Sequence, residues 1–236
     1  NYVTAIRDLI ISRMPWLTED DFNFMETDFT TPVLTFTHED DPWEMATIMT
    51  ASLGAQLYWD HHGKPTMRPE PDMSNTPPTW EYVEGEDAII TGVTRDLNDD
   101  DAFNGVVVSA ENTSNTTPIR AEAWDTDPNS PTYYDPDNAS ESLYGANPKF
   151  ITSNVVTTFD QAQVMANAEL RRELGIAEEI EFTSIVNPLQ QSNDVISVRR
   201  ERVHVDNIYV LESFKADITP EGKMSGTTRR RRVTAA

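Results

Sequence analysis

Two histidines stand side by side next to an aspartate in "QLYWDHHGKPTMRPEPD" (56–72). Imidazole and carboxylate are the ligands that zinc and related divalent ions take, so Asp60, His61 and His62 raise the question of a metal centre. The local pattern answers it differently. "AQLYWD" alternates Leu57 and Trp59 with Gln56, Tyr58 and Asp60, as a strand does, and Gly63 can supply the positive φ of a tight turn. Consecutive side chains on an extended backbone point to opposite faces, so His61 and His62 are not expected to share an ion. The remaining imidazoles are His38 and His204. Strand, turn, strand is the expectation, with no metal.

Other chemistries fail on residue type or spacing. "DLNDDDAFNGVV" opens like a calcium-binding loop with Asp96, Asn98 and Asp100, but Asp101 stands where glycine is needed and Val107 where the bidentate glutamate is needed. "DTDPNS" from Asp125 lacks the glycine too. A glycosidase needs two opposed carboxylates, yet among 40 acidic residues chance supplies such pairs freely. There is no G-x-S-x-G and no phosphate-cradling glycine loop. The chain has no cysteine, which excludes thiol nucleophiles, Cys-ligated zinc and disulfides together. Asn112, Asn115 and Asn138 begin N-x-[ST] triplets, which mean little without a secretory signal. No catalytic residue, cofactor-binding residue or metal ligand is expected, and the chain reads as a non-enzyme.

The charge is lopsided. The net charge is −22, from 18 basic and 40 acidic residues. Residues 1–80 carry 4 basic and 13 acidic groups, 81–150 carry 3 and 15, and 151–236 carry 11 and 12. Such a body repels a phosphate backbone, so gripping nucleic acid is not expected. The one basic cluster, "TTRRRRVT" (227–234), reads as a contact for nucleic acid or an acidic partner, or equally as a strand with arginines on both faces. No apolar run approaches a membrane span. The opening "NYVTAIRDLI" is no signal peptide, and starting without methionine it is expected to be internal to a longer chain.

The elements follow from periodicity. Val3, Ile6, Leu9 and Ile10 give a helix over 2–13 that Pro15 stops. Asp41, Pro42 and Glu44 start a second over 41–54, with Trp43, Ala46, Met49 (or Ile48) and Leu53 on one face and Gly54 at its end. The proline-rich "PEPDMSNTPPTW" (69–80) reads as a linker. Strands follow at 87–97, 104–112 and 118–125, then a polar loop at 125–149. Thr158 and Gln161 box the start of a helix over 158–174, whose narrow face of Ala162, Met165, Ala166 and Leu170 implies close packing on a sheet and which Gly175 ends. Strands resume at 179–186, 194–200, 203–218 and 222–233. The expectation is an α+β chain: a small helix-plus-hairpin domain (1–80), then a strand-dominated domain (81–236).

The order of motifs resembles a known family. "FNGVVVSAEN", "PIRAEAWD", the Tyr144-Gly145 segment, the helix from Gln161 to Leu170, then Asn187-Pro188 with Asp194-Val195, and "VDNIYVLESFKADITPEGKMSGTTR" resemble the baseplate-hub or tail-tip proteins of long-tailed bacteriophages of actinobacteria. The likeness spans about 81–233, and 1–80 resembles the small domain preceding it. The resemblance implies homotrimers whose tail-tube-like β-barrel domains imitate a six-fold ring, adapting the tail tube to the tip. It also implies contacts with tube, distal-tail and fibre proteins, DNA only in transit through the channel, and a place in the virion tail tip. Val106, Val108, Ile208 and Val210 are then expected in the barrel core or at a subunit seam. Two other classes stay open. One is a host-receptor or carbohydrate-binding tail module using Tyr133, Tyr134 and Tyr144 of the long loop. The other is a cell-wall hydrolase.

Overall fold

A computed structural model of the chain describes residues 1–32, 34, 40–71, 73, 76–84, 90–98, 102–111, 118–174, 176–219 and 221–232. His38, Asp100, Asp101, the triplets starting at Asn112 and Asn115, and Gly175 lie outside these residues. In chain order the elements are α1 (Tyr2–Arg13), β1 (Asn23–Phe24), α2 (Pro42–Ala51), β2 (Ala55–Trp59), β3 (Pro65–Pro69), β4 (Trp80–Val83), β5 (Ile90–Asn98), β6 (Gly105–Ala110), β7 (Ile119–Trp124), β8 (Pro148–Ser153), α3 (Phe159–Glu173), β9 (Ile176–Ile185), β10 (Val195–Arg200), β11 (Val205–Ala216) and β12 (Lys223–Arg232). The class is the expected α+β, mostly sheet.

The chain divides into two compact units, and each is built from separated stretches. One takes 1–70 and 103–174, the other 71–102 and 175–235. The expected boundary at residue 80 therefore follows a different line from the contacts. The physical reason is the pairing of β6 with β8 and the seating of α3 on β6 and β7, which draw 103–174 into the first unit.

In the first unit, Asn1 caps α1 by accepting from the Val3 N–H at 2.8 Å, and Asp41 caps α2 by accepting from Trp43 at 2.9 Å. Their inward faces bury Tyr2, Ile6, Ile10, Ala46, Met49 and Leu53 against the small sheet β1-β3-β2. Gly54 ends α2 at φ 64°, and an added Cβ there would stand 2.9 Å from Ala168 Cβ on α3. The second sheet of this unit, ordered β7-β6-β8, has β7 antiparallel and β8 parallel to β6. The helix packs on one face of this sheet, so Ala162, Ala166 and Leu170 meet Val106, Val108, Ala121 and Ala123. Its N-terminal box is shifted by one residue. Thr158 Oγ1 accepts from the Gln161 N–H at 3.2 Å, but Gln161 Oε1 accepts from Thr157 N–H at 3.1 Å. The Gln161 amide also donates to Ser52 Oγ at 3.1 Å, which satisfies a fully buried side chain.

β8 falls inside what reads as loop and strand-free sequence, because its alternation runs backwards. Lys149 lies on the helix side, held by Glu169 at 2.6 Å and Glu173 at 3.2 Å, while Phe150 on the opposite face is 71% exposed. Burial lowers the affinity of Lys149 for its proton, but the two glutamates outweigh it and raise the pKa above its ordinary 10.5.

The second unit is one six-stranded sheet ordered β4-β10-β11-β12-β9-β5, curled into half a barrel. Only β4 pairs in parallel, with β10. Bulges at Ile90/Gly92 and Leu211/Ser213 add to the bend. The concave core holds Tyr82, Ile180, Phe182, Ile196, Val198, Tyr209, Leu211 and Met224. The "NPLQQSND" turn is tied to that core. Tyr82 donates to the buried Gln190, whose amide reaches Asp194 at 2.7 Å, and Asn193 adopts φ 67°, which asparagine tolerates.

Candidate assembly surfaces

At the heart of the six-stranded sheet lies a charge. Glu178 on β9 is 1% exposed and accepts from Arg95 Nε on β5 at 2.7 Å and from the Tyr209 hydroxyl at 3.2 Å. A carboxylate removed from water is tolerated only when paired and hydrogen-bonded. Here the pair fastens the outermost strand β5 to the rest of the sheet. Sequence reading passed over both residues, since nothing in "TRDLN" or "AEEIEF" separates a buried charge from a solvated one.

Both margins of the sheet are open among the described residues, at β4 and at β5. An open margin presents backbone N–H and C=O groups that a further strand can take. On the face away from the core, β5 and β9 carry exposed Asp96, Glu179 and Glu181. Asp96 stands directly opposite Glu179 in register, and on its other side Glu179 faces Arg229 of β12, so the like-charge pair is offset by an opposite-charge one. The aspartate and asparagine that suggest a calcium loop, Asp96 and Asn98, are residues of this extended strand.

The long stretch between β7 and β8 is ordered by two buried polar side chains. Asn104, with no exposure, donates to Thr132 O at 3.0 Å and Gly145 O at 2.6 Å, and accepts from the Asn147 N–H at 2.8 Å. Asp125, 3% exposed, accepts from Thr132 Oγ1 at 2.7 Å, and its carbonyl accepts from the Tyr134 N–H at 2.8 Å. Replacing Asn104 with alanine strands those partners and is expected to cost about 2 kcal/mol. Limited proteolysis checks it, with cleavage appearing between 126 and 147.

The histidines lie at the turn between β2 and β3, where Gly63 has φ 73°. Contrary to the opposed placement that an extended backbone would give, their ring centroids are 3.9 Å apart, because the turn brings consecutive side chains together. No group of three His, Cys, Asp or Glu among the described residues could hold a metal ion. Asp60 organises the turn by accepting from the N–H groups of His62 at 2.9 Å and Lys64 at 2.8 Å. Burial raises its pKa, but these hydrogen bonds, with the nearby histidines, outweigh that and hold it below its ordinary 3.8. A depressed carboxyl pKa stabilises the fold above the unfolded-state value, and that contribution is lost as pH falls through the folded one. Asp60→Asn is therefore expected to flatten the acid limb of the stability–pH curve below about pH 4, read by thermal melts across pH 2–6.

Of the residues expected in a core or seam, Val106 and Val108 are fully buried under α3. Val210 is 2% exposed and Ile208 partly buried, on the sheet face opposite Tyr209 and Leu211. The three loop tyrosines separate. Tyr133 is partly buried and Tyr144 is 41% exposed, whereas the Tyr134 ring lies 4.6 Å from Trp124.

No family model and no curated protein matches the chain. Solved structures do. A tail protein from Neisseria meningitidis aligns over 97% of this chain and 66% of its own length, with TM-score 0.62 and 14% identity. A prophage tail protein from Shewanella oneidensis aligns over 97% and 65%, with TM-score 0.59 and 16% identity. A prophage tail protein from Listeria monocytogenes aligns over 89% and 59%, with TM-score 0.50 and 8% identity. The chain thus spans slightly less than two thirds of the length of the solved proteins it matches. At these identities the likeness is one of fold, and the fold of this chain is that of the tail proteins.

Proposed function

We propose that this chain is a structural, non-enzymatic component of a phage tail, and within the tail a subunit of the tip or baseplate hub, of the form carried by actinobacterial phages. In this reading three copies close a ring that adapts the tail tube to the tip. The ring meets tube, distal-tail and fibre proteins and lets DNA pass through its centre. The observation that carries the proposal is the half-barrel with two open margins in a chain whose fold matches tail proteins over nearly its whole length. Joining β5 of one copy to β4 of the next would satisfy both margins by backbone pairing. It would leave Asp96, Glu179 and Glu181 along the channel. Phosphate groups bind tightly to cations and not to such a wall, so DNA would slide without sticking.

Light scattering tests this, followed by electron microscopy. A mass three times that of the 26.6 kDa chain, in three-fold rings with a central hole, is the expected result. A chain that remains monomeric at high concentration, alone and with its tail-tube partner, overturns the hub reading.

A further inference from the structure

The neighbours of β11 do not cover it along its whole length. On one side β12 pairs with it as far as Ala216. On the other, β10 starts at Val195 opposite Val210, and the turn before it adds one more step. There the Asn193 N–H donates to Leu211 O at 2.7 Å and the Leu211 N–H to Asp194 O at 2.9 Å. Beyond Leu211 no strand among the described residues lies on that side. The Asp217 N–H donates to Lys223 O at 3.0 Å, towards β12. Successive residues of an antiparallel ladder alternate in direction, so Phe214 and Ala216 turn their N–H and C=O groups away from β12. Residues 212–216 are thus a third open stretch beside the margins at β4 and β5.

Apolar side chains mark the same end of the sheet. Phe214 is 36% exposed and Ile218, just beyond it, fully so; with Ile185 and Leu189 they are the large apolar side chains that the second unit exposes among its described residues. All four lie where β9 and β11 finish and β12 begins. The opposite end holds ion pairs instead, Arg199 with Asp206, and Arg200 and Arg202 with Glu84. A tight connection holds Ile218 out: the Gly222 N–H donates to Thr219 O at 2.9 Å, and a Cβ on Gly222 would stand 2.2 Å from Asp217 O.

We propose that residues 212–218 belong to the seam between copies of this chain, where the next copy lays an extended segment along Phe214 and Ala216 and covers Ile218. The inference rests on the ring reading and extends its seam. Two observations select a second copy as the occupant. The uncovered side of β11 is the side on which β10 and β4 stand, so it faces the neighbour that takes the β4 margin. Residues 213–223 carry Lys215, Lys223, Asp217 and Glu221, and so no net charge, in a chain of net charge −22. A second acidic copy therefore meets no repulsion here. Unpaired backbone groups call for an extended segment as the partner's contribution, and the fixed connection presents Ile218 without a further ordering cost.

Photo-cross-linking and light scattering of the full chain test it. With benzoylphenylalanine in place of Phe214 and the tail-tube protein present, irradiation is expected to join one copy to another. Light scattering over a dilution series then follows dissociation of the ring. Ile218→Asp, at a fully exposed position, should leave thermal melts unchanged and raise the dissociation constant about tenfold, the equivalent of one buried isoleucine. Ala216→Pro should weaken the ring as well, because it removes an N–H that faces away from the sheet, where proline is tolerated. Rings as stable as the wild type in either folded variant, or cross-links to the tube protein instead, overturn the inference and leave the ring reading standing. A wild type that forms no ring overturns both.

Discussion

Replacing Arg95 by methionine is expected to destabilise the six-stranded unit by about 3–5 kcal/mol. The magnitude comes from the partner that stays behind. Glu178 is almost completely buried, and Arg95 pairs with it at 2.7 Å. Without the guanidinium the buried carboxylate loses the partner that offsets its desolvation, which costs free energy. The double variant Arg95→Met with Glu178→Leu should recover most of the loss, because an apolar pair of similar volume replaces a desolvated ion pair at little net cost. Urea denaturation read together with amide exchange on β5 and β9 measures both. A loss under about 1 kcal/mol for the single variant would place Glu178 in contact with water and remove its role as the fastening of β5.

Phe182→Ala should cost about 3–5 kcal/mol, and part of that loss should return when Gly226→Ala is added. Phe182 is 2% exposed, lies 4.7 Å from the Tyr82 ring and crosses the strand over Gly226. A Cβ at Gly226 would meet Phe182 Cε1 at 2.6 Å and Leu211 Cδ1 at 3.0 Å. By itself, Gly226→Ala overpacks the core and should cost about 1–3 kcal/mol. In the Phe182→Ala background the same methyl enters an emptied volume. The cycle should therefore be non-additive, with the double variant more stable than the sum of the singles. Additivity within about 0.5 kcal/mol would mean that ring and glycine do not share space.

Much of the chain was legible because local chemistry and fold agree. Helix α1 declares itself by Ile6 and Ile10 and its stop at Pro15. The start of α2 is written in Asp41-Pro42, and the small face of α3 announces the sheet beneath it. The hidden parts depend on partners far away in sequence. Strand β4 is four residues long, follows a run of prolines and exists by pairing in parallel with β10. β8 inverts its pattern because Glu169 and Glu173 draw Lys149 to the helix side. The candidate surfaces divide in the same way. The loop aromatics could be listed from sequence, but Phe214 reads there as an ordinary strand residue, and only the late start of β10 opposite Val210 shows that its side of β11 is open. Likewise Glu178, Glu179 and Glu181 look alike in "EEIEF", and the register separates one core ion from two surface charges.

The interleaving of the two units bears on how the chain is made. Residues 1–70 leave the ribosome long before β6, β8 and α3, which complete their unit, and β4 and β5 emerge long before β9 to β12. Neither half can settle as it is synthesised, and each strand pair closes across a long stretch of chain, so folding should be slow and largely post-translational. A fragment ending at residue 80 would keep α1, α2 and their small sheet but lose α3, against which Gly54 and Ser52 pack through Ala168 and Gln161. Expressing the pieces separately is therefore expected to give aggregates, whereas circularly rejoining 103–174 to 1–70 should yield a self-sufficient unit.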